Sequence, residues 1–362
     1  MLLAGCGTAS VGHLAYVSAG TLRTLDGRVG VAGTAPAWSH DGRWLAYLAP
    51  DGTLRVVGAD GSGAHTVRGA TAYAWSPSSD ELAFFSASGE GLWLAGAAGA
   101  AHELAPGLVG SLAWSADGRT LAYSATLPYT DVLKRSDALY TVPAAGGTPT
   151  QRYVAQGDGI EVGAWLPGAQ GLLLWVDPLH SASIMADGLN LLEFRFGDAA
   201  TSTLAATLVN RSWLSFAGNR VLLVAGQGRE LQADKQLAIC DLVAATCQPL
   251  TQPEGTVSLD PAWSPNGTRM AFVRAARWTG PMSSAAAAAT WNATRTLWLA
   301  QGDGSSPQQV MAAGTGASSP RWSADGAHIL YLRDGAVWLL TLATGSVRRL
   351  VAGPVTSIAW HP

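Results

Sequence analysis

Three charged residues stand where chemistry could be done. Glu161, Asp260 and Arg321 each fall shortly before a tryptophan, in segments otherwise made mainly of small residues. Two carboxylates and a guanidinium in one cavity could move protons and orient an anionic group. That is the equipment of a hydrolase or lyase acting on a glycan or peptide, with His180 as a further titratable group. Three charges on distant segments do not by themselves specify a mechanism. The chain has no Gly-x-Ser-x-Gly elbow, no His-Glu-x-x-His helix and no phosphate loop. Its seven histidines, His13, His40, His65, His102, His180, His328 and His361, are scattered. Cys240 and Cys247 flank a short strand-turn-strand. Facing positions of an antiparallel hairpin lie about 4.5–5.5 Å apart at Cα, which permits a disulfide; two buried thiols are the alternative.

A repeat positions these groups. The phrase Pro36-Ala37-Trp38-Ser39-His40-Asp41-Gly42-Arg43-Trp44-Leu45-Ala46-Tyr47 returns as Ala74-Trp75-Ser76-Pro77 and as Ala113-Trp114-Ser115-Ala116-Asp117-Gly118. It recurs as Pro261-Ala262-Trp263-Ser264-Pro265-Asn266-Gly267 and as Pro320-Arg321-Trp322-Ser323-Ala324-Asp325-Gly326. A weaker copy surrounds Trp165, a degenerate one surrounds Phe216, and the chain ends on Ile358-Ala359-Trp360-His361-Pro362. Each copy reads as a strand A ending on the tryptophan, a turn, and a returning strand B. Asp-Gly and Asn-Gly supply the positive φ angles of primed hairpin turns. An apolar strand C and a final strand D complete the unit, as at 43–48, 53–57 and 65–67 after Trp38 and at 328–332, 336–340 and 347–350 after Trp322. Four antiparallel strands in a repeat of about 40 residues are the signature of a β-propeller blade.

The anchors Trp38, Trp75, Trp114, Trp165, Phe216, Trp263, Trp322 and Trp360 give eight blades, or seven if the stretch around Phe216 joins its neighbour. Trp360 lacks strands B, C and D, whereas His13-Leu14-Ala15-Tyr16-Val17-Ser18 is a B strand with no A before it. The expected fold is therefore all-β: one propeller of four-stranded blades over residues 11–362, closed by pairing of the N- and C-terminal strands. Closure of that kind removes exposed sheet edges.

In such a meander the A–B and C–D turns share one face, and the B–C loops and D–A crossovers share the other. Three B–C loops are long, at 125–137, 177–188 and 275–295. They carry Tyr129, Lys134 and Arg135 in the first and Trp278, Met282 and Trp291 in the last, residue types enriched where proteins meet partners. Folding of these aromatics onto their own blades is the bland alternative. Glu161, Asp260 and Arg321, on A strands, are expected to line the central channel.

Charged residues make up 13% of the chain, against about 25% in ordinary soluble domains, which suits short strands, tight turns and an aromatic anchor per unit. The net charge of −3 gives no reason to expect nucleic acid. No apolar run approaches the ~18–20 residues of a spanning helix. The turn aspartates are expected to close their own turns, so neither a metal nor a cofactor is implied.

The phrase Pro-x-Trp-Ser-x-Asp-Gly-x-x-Leu-Ala-Tyr resembles the TolB-type, WD-repeat-like propeller repeat of bacterial envelope proteins and of some peptidases. The resemblance runs from about residue 11 to 362 and implies the fold; the copies at Trp165 and Phe216 depart from it. Leu3-Ala4-Gly5-Cys6 resembles the lipobox of bacterial lipoproteins, which implies lipidation at Cys6 with residues 1–10 as the remnant of a signal and anchor. The charged segment and most of the apolar segment that precede a lipobox are missing from the residues before Cys6. Together these readings describe an exported, non-catalytic monomer that binds a protein or peptide through its long-loop face and touches the membrane only through Cys6.

Overall fold

A computed structural model describes residues 11–86, 90–197, 200–278, 280, 284–310 and 316–362. Cys6 and Met282 lie outside the described residues. The chain is all-β, and its antiparallel strands form, among the described residues, five four-stranded sheets and one ten-stranded sheet. The ten-stranded sheet arises from two long strands, His65–Trp75 and His102–Trp114. The first pairs through residues 65–69 with Thr53–Gly58 and through residues 70–75 with Glu81–Ser86. It is thus strand D of one unit and strand A of the next. His102–Trp114 does the same for the following pair of units.

The two ends of the chain build one sheet. Its order is Gly30–Ala32, Thr21–Thr24, His13–Ser18 and Ser357–His361, with Leu14 opposite Trp360 and Tyr16 opposite Ile358.

Burial explains the alternation of large and small residues along the B strands. Leu45, Ala46 and Tyr47 are buried, as are Leu82, Ala83 and Phe84, because each B strand lies between two sheet faces. The apolar clusters lie between successive units rather than within one. Ala46 and Leu54 pack with Leu82 and Phe84, and Ala122 and Leu139 pack with Ile160 and Leu174. Leu173 and Trp175 pack with Val221 and Leu223. At the junction of the chain ends, Leu14 and Ile358 pack with Leu330 and Leu339 on one side, while Ala15 and Val17 pack with Leu45 and Tyr47 on the other.

The anchor tryptophans latch neighbouring units. Nε1 of Trp75 donates to the carbonyl of Ala37 at 2.9 Å, Trp114 to Ala74 at 3.1 Å, Trp165 to Ala113 at 3.0 Å and Trp322 to Ala262 at 3.0 Å. Trp38 donates to Ala359 at 3.3 Å. Each acceptor immediately precedes the anchor of the previous unit, so at these five anchors one donor crosses the seam, while Trp360 Nε1 donates instead to the Val11 carbonyl at 2.6 Å. The pattern breaks at the degenerate unit. Phe216 has no donor and is 37% exposed, and Trp263 Nε1 is buried with no hydrogen-bond partner among the described residues. The buried aromatic of that unit is instead Trp213, three residues earlier and 6% exposed.

The turns depart from the primed geometry expected of Asp-Gly. Only the glycine takes a positive φ, 73° at Gly42 and 66° at Gly326, and Gly42 N donates to the Ser39 carbonyl at 3.0 Å. This is a longer loop built on a type I turn. Side chains close it. Ser39 Oγ donates to Asp41 Oδ1 at 2.7 Å, the same oxygen accepts from Arg43 N at 3.0 Å, and Trp44 N donates to Ser39 Oγ at 3.1 Å. Ser115 with Asp117, Ser264 with Asn266 and Ser323 with Asp325 repeat the arrangement.

The hydroxyls of Ser115 and Ser323 and the amides of Arg119 and Ala327 hold the Asp117 and Asp325 carboxyls below their ordinary value. A carboxyl depressed in the folded state contributes stability above its unfolded pKa and loses it as the pH falls through the folded one. Asn266 fills the same place without titrating. The double substitution Asp117→Asn and Asp325→Asn is therefore expected to leave the melting temperature near wild type at neutral pH. Its loss between about pH 5 and pH 2 should be smaller. Melting curves across that range test this, and unchanged acid sensitivity would refute it.

Candidate functional site

Strand irregularities place the inner charges. The strand Thr256–Trp263 shifts register between Leu259 and Ala262, and Ala317–Trp322 shifts between Ser318 and Arg321. Within these bulges Asp260 and Ser319 take positive φ, 50° and 52°, each just before a proline. A bulge re-aims the side chains it carries, and here Asp260 is brought to three donors. Asp260 Oδ1 accepts from Trp213 Nε1 at 3.0 Å, and Oδ2 accepts from Arg295 Nη2 at 2.8 Å and Ser319 N at 3.0 Å.

Glu161 is held from the same turn that carries Trp213. The 3-10 turn Arg211–Trp213 is capped by Asn210, whose side chain accepts from Ser212 N at 3.0 Å. Arg211 Nη2 donates to Glu161 Oε1 at 3.0 Å and Nη1 to the Leu112 carbonyl at 2.8 Å. One turn thus ties together the inner strands of successive units. Burial pushes the Glu161 carboxyl above its usual range, and Arg211 opposes the shift.

Asp260 and Arg321 line one cleft of about 380 Å³, with Trp213, Phe216, Trp263 and Pro320. Glu161 is not among its lining residues. His180 lies on the long-loop face, where its Nε2 is 2.9 Å from the Arg135 carbonyl. The four groups considered for catalysis therefore do not converge in that cleft, and both inner carboxylates already hold arginines of this chain. The turn cluster His40, Asp41 and Asp80 likewise carries its own cation. Arg43 Nη2 lies 2.8 Å from Asp80 and its Nε contacts Asp41.

The long-loop face divides the residues picked out by sequence into two groups. Tyr129 and Lys134 are exposed and Arg135 is half-buried, beside the short turn Val132–Lys134. In the third long loop the aromatics turn inward, which corrects the expectation for Trp291. Trp291 is 4% exposed and packs in the largest apolar cluster, and its Nε1 donates to the Ala276 carbonyl at 2.8 Å. It comes from the helix Ala285–Ala293, whose N-cap Ser284 accepts from Ala287 N. Trp278 is half-buried against the same cluster. The helix rotates Trp291 under the loop because an indole gains more from burial than the surrounding alanines do.

Sequence reasoning missed the aliphatic residues exposed on the other two loops. Leu133 is 81% and Leu179 72% exposed, and Val132, Ile184 and Met185 are exposed beside them in chain. The His180 to Arg135 hydrogen bond joins the two loops next to Leu133 and Leu179. The available signal was a set of large aliphatics in loop segments rich in polar residues and too short to bury them.

A disulfide joins Cys240 and Cys247, directly opposite each other in the hairpin of Gln236–Asp241 and Thr246–Pro249. Disulfides persist in oxidising compartments, so this bond fits an extracytoplasmic location.

No protein-family model matches the chain, and no curated protein matches it. Among solved structures it is similar to the dihydro-heme d1 dehydrogenase NirN. The TM-score is 0.58 at 13% identity, covering 98% of this chain and 77% of that one. It is also similar to the acylaminoacyl peptidase of Pyrococcus horikoshii, with a TM-score of 0.52 at 12% identity, over 88% of this chain and 52% of that one. TolB from Acinetobacter baumannii aligns with 96% of this chain and 66% of its own length, at 16% identity and a TM-score of 0.44. The chain thus spans just under two thirds of that TolB and about half of the peptidase. At such identities the first two likenesses speak for the β-propeller fold alone.

Proposed function

We propose that the chain is an eight-bladed propeller, closed where its ends pair, that serves outside the cytoplasm as a non-catalytic binding protein. Four-stranded units, seam clusters between successive units and the mixed terminal sheet support the blade count and closure. The disulfide supports the location. Residues 11–362 form the propeller in this reading, and residues 1–10 hold a lipid anchor at Cys6; the protein is a monomer.

The observation that carries the binding role is the pair of joined loops presenting Leu133 and Leu179 at 81% and 72% exposure. Exposed large aliphatics cost solubility unless something covers them, and clusters of them mark interaction surfaces. The exposed Lys134 beside them selects a protein segment whose apolar side chains are flanked by acidic ones. The alternative, a hydrolase or lyase acting on a glycan or peptide in the channel, has less support, because Glu161 and Asp260 are each held by an arginine.

The test starts from a partner captured from the native envelope, purified and titrated back onto the protein. The double substitution Leu133→Asp and Leu179→Asp should weaken its binding at least ~100-fold, the effect of losing two buried anchors, and leave the melting temperature unchanged. Undiminished binding would refute the loop-face reading.

A further inference from the structure

The inner cleft beside Asp260 holds a cation with no counter-charge. Arg321 is exposed to the cleft and has no ion pair or hydrogen bond to its side chain among the described residues. Asp260, the carboxylate that shares the cleft, is already engaged by Trp213, Arg295 and Ser319. The surrounding protein pushes the Arg321 guanidinium below its ordinary pKa through desolvation, with no carboxylate offsetting it. A second polar group in the same wall is also unsatisfied. Trp263, 6% exposed, has a buried Nε1 with no hydrogen-bond partner among the described residues, whereas Trp322 in the next unit donates to a carbonyl. The remaining wall is mixed: Phe216, Pro261 and Pro320 form its apolar part, and Ser212, Ser215, Ser264 and Ser319 interrupt it.

We infer that this cleft is a binding site for an organic carboxylate carrying an apolar body, with Arg321 gripping the carboxylate and Phe216 and the prolines covering the body. The guanidinium fork matches a carboxylate with two parallel hydrogen bonds. A phosphate dianion fits worse, because one unpaired arginine faces it and the Asp260 carboxylate stands in the same cleft. The volume of about 380 Å³ lies within the range of small-molecule pockets and accommodates an aryl carboxylate or a short peptide end. The site is separate from the long-loop surface and does not depend on the role proposed for it.

Titration of the whole protein with N-acetylphenylalanine, its neutral amide and phenyl phosphate, followed by tryptophan fluorescence and calorimetry, tests the assignment. The acid is expected to bind at least ~10-fold more tightly than the amide and than phenyl phosphate, the worth of a charge-assisted pair. Arg321→Gln should lose that advantage with an unchanged melting temperature, Arg321→Lys should recover part of it, and the Leu133→Asp, Leu179→Asp variant should bind the acid like wild type. Equal binding of acid and amide, undiminished binding by Arg321→Gln, or preference for phenyl phosphate would each overturn the carboxylate site. So would failure of the acid to bind at millimolar concentration.

Discussion

Replacement of Trp291 by alanine is expected to lower the unfolding free energy by about 3–5 kcal/mol, the range for removing a buried aromatic from a packed core. Trp291 is 4% exposed within the cluster that also contains Trp213, Trp263, Phe272 and Tyr331. Its loss leaves a cavity at a seam and frees the Ala276 carbonyl, which accepts its Nε1 at 2.8 Å. The loop would lose its own anchor as well. Thr294 Oγ1 accepts from Ala276 N at 3.1 Å and donates to the Trp291 backbone carbonyl at 2.7 Å, bonds that alanine at 291 keeps, so the part lost at the point where the helix rejoins the sheet is the indole bond to the Ala276 carbonyl. Trp291→Phe keeps most of the volume but not the donor, and should cost roughly 1–2 kcal/mol. Urea denaturation of the three proteins measures both effects. A cost below about 1 kcal/mol for Trp291→Ala would mean the indole does not support the core, and would return it to the candidates for partner contact.

The outcome at Trp291 shows what kind of information the sequence carries. The Ser-x-Asp-Gly turns and the anchors were legible because they recur, and recurrence reports a shared local geometry. The pairing of Ser357–His361 with His13–Ser18 was legible for a related reason: each end lacks what the other has. The acceptors of the tryptophan latches were not legible, since a carbonyl such as that of Ala37 or Ala359 leaves no mark in residue type. At the degenerate unit Phe216 stands at the anchor position of the repeat, yet the turn Arg211–Trp213 delivers Trp213 to the seam.

The inner charges were half legible. Glu161 and Asp260 stand out among small residues, but Arg211 and Arg295 come from segments 50 and 35 residues away. No local pattern announces those pairings. On the loops, residue type misled. Trp278 and Trp291 find core to cover them, whereas Tyr129 and the aliphatics of two shorter loops do not.

Asp260→Ala should destabilise the protein by about 3–5 kcal/mol, because breaking a mostly buried ion pair leaves the other charge uncompensated. The side chains of Asp260 and Arg295 are 15% and 16% exposed, and the same carboxylate also serves Trp213 Nε1 and Ser319 N. Alanine adds the strain of a positive φ, 50° at this position. Asp260→Asn keeps an acceptor for Trp213 and tolerates the left-handed backbone, so its cost should be smaller by about 1–2 kcal/mol. Arg295→Ala should approach the cost of Asp260→Ala, and the double variant should cost less than the sum, since both singles break one network. A general base behaves differently: its exchange for Asn leaves stability near wild type and removes a reaction. Denaturation of the two Asp260 variants therefore separates the roles. Wild-type stability in both would undo the structural assignment and reopen the channel as a place for acid–base chemistry. Losses of the expected size make Asp260 the clasp between the inner strands of three units, leaving Arg321 to meet a ligand.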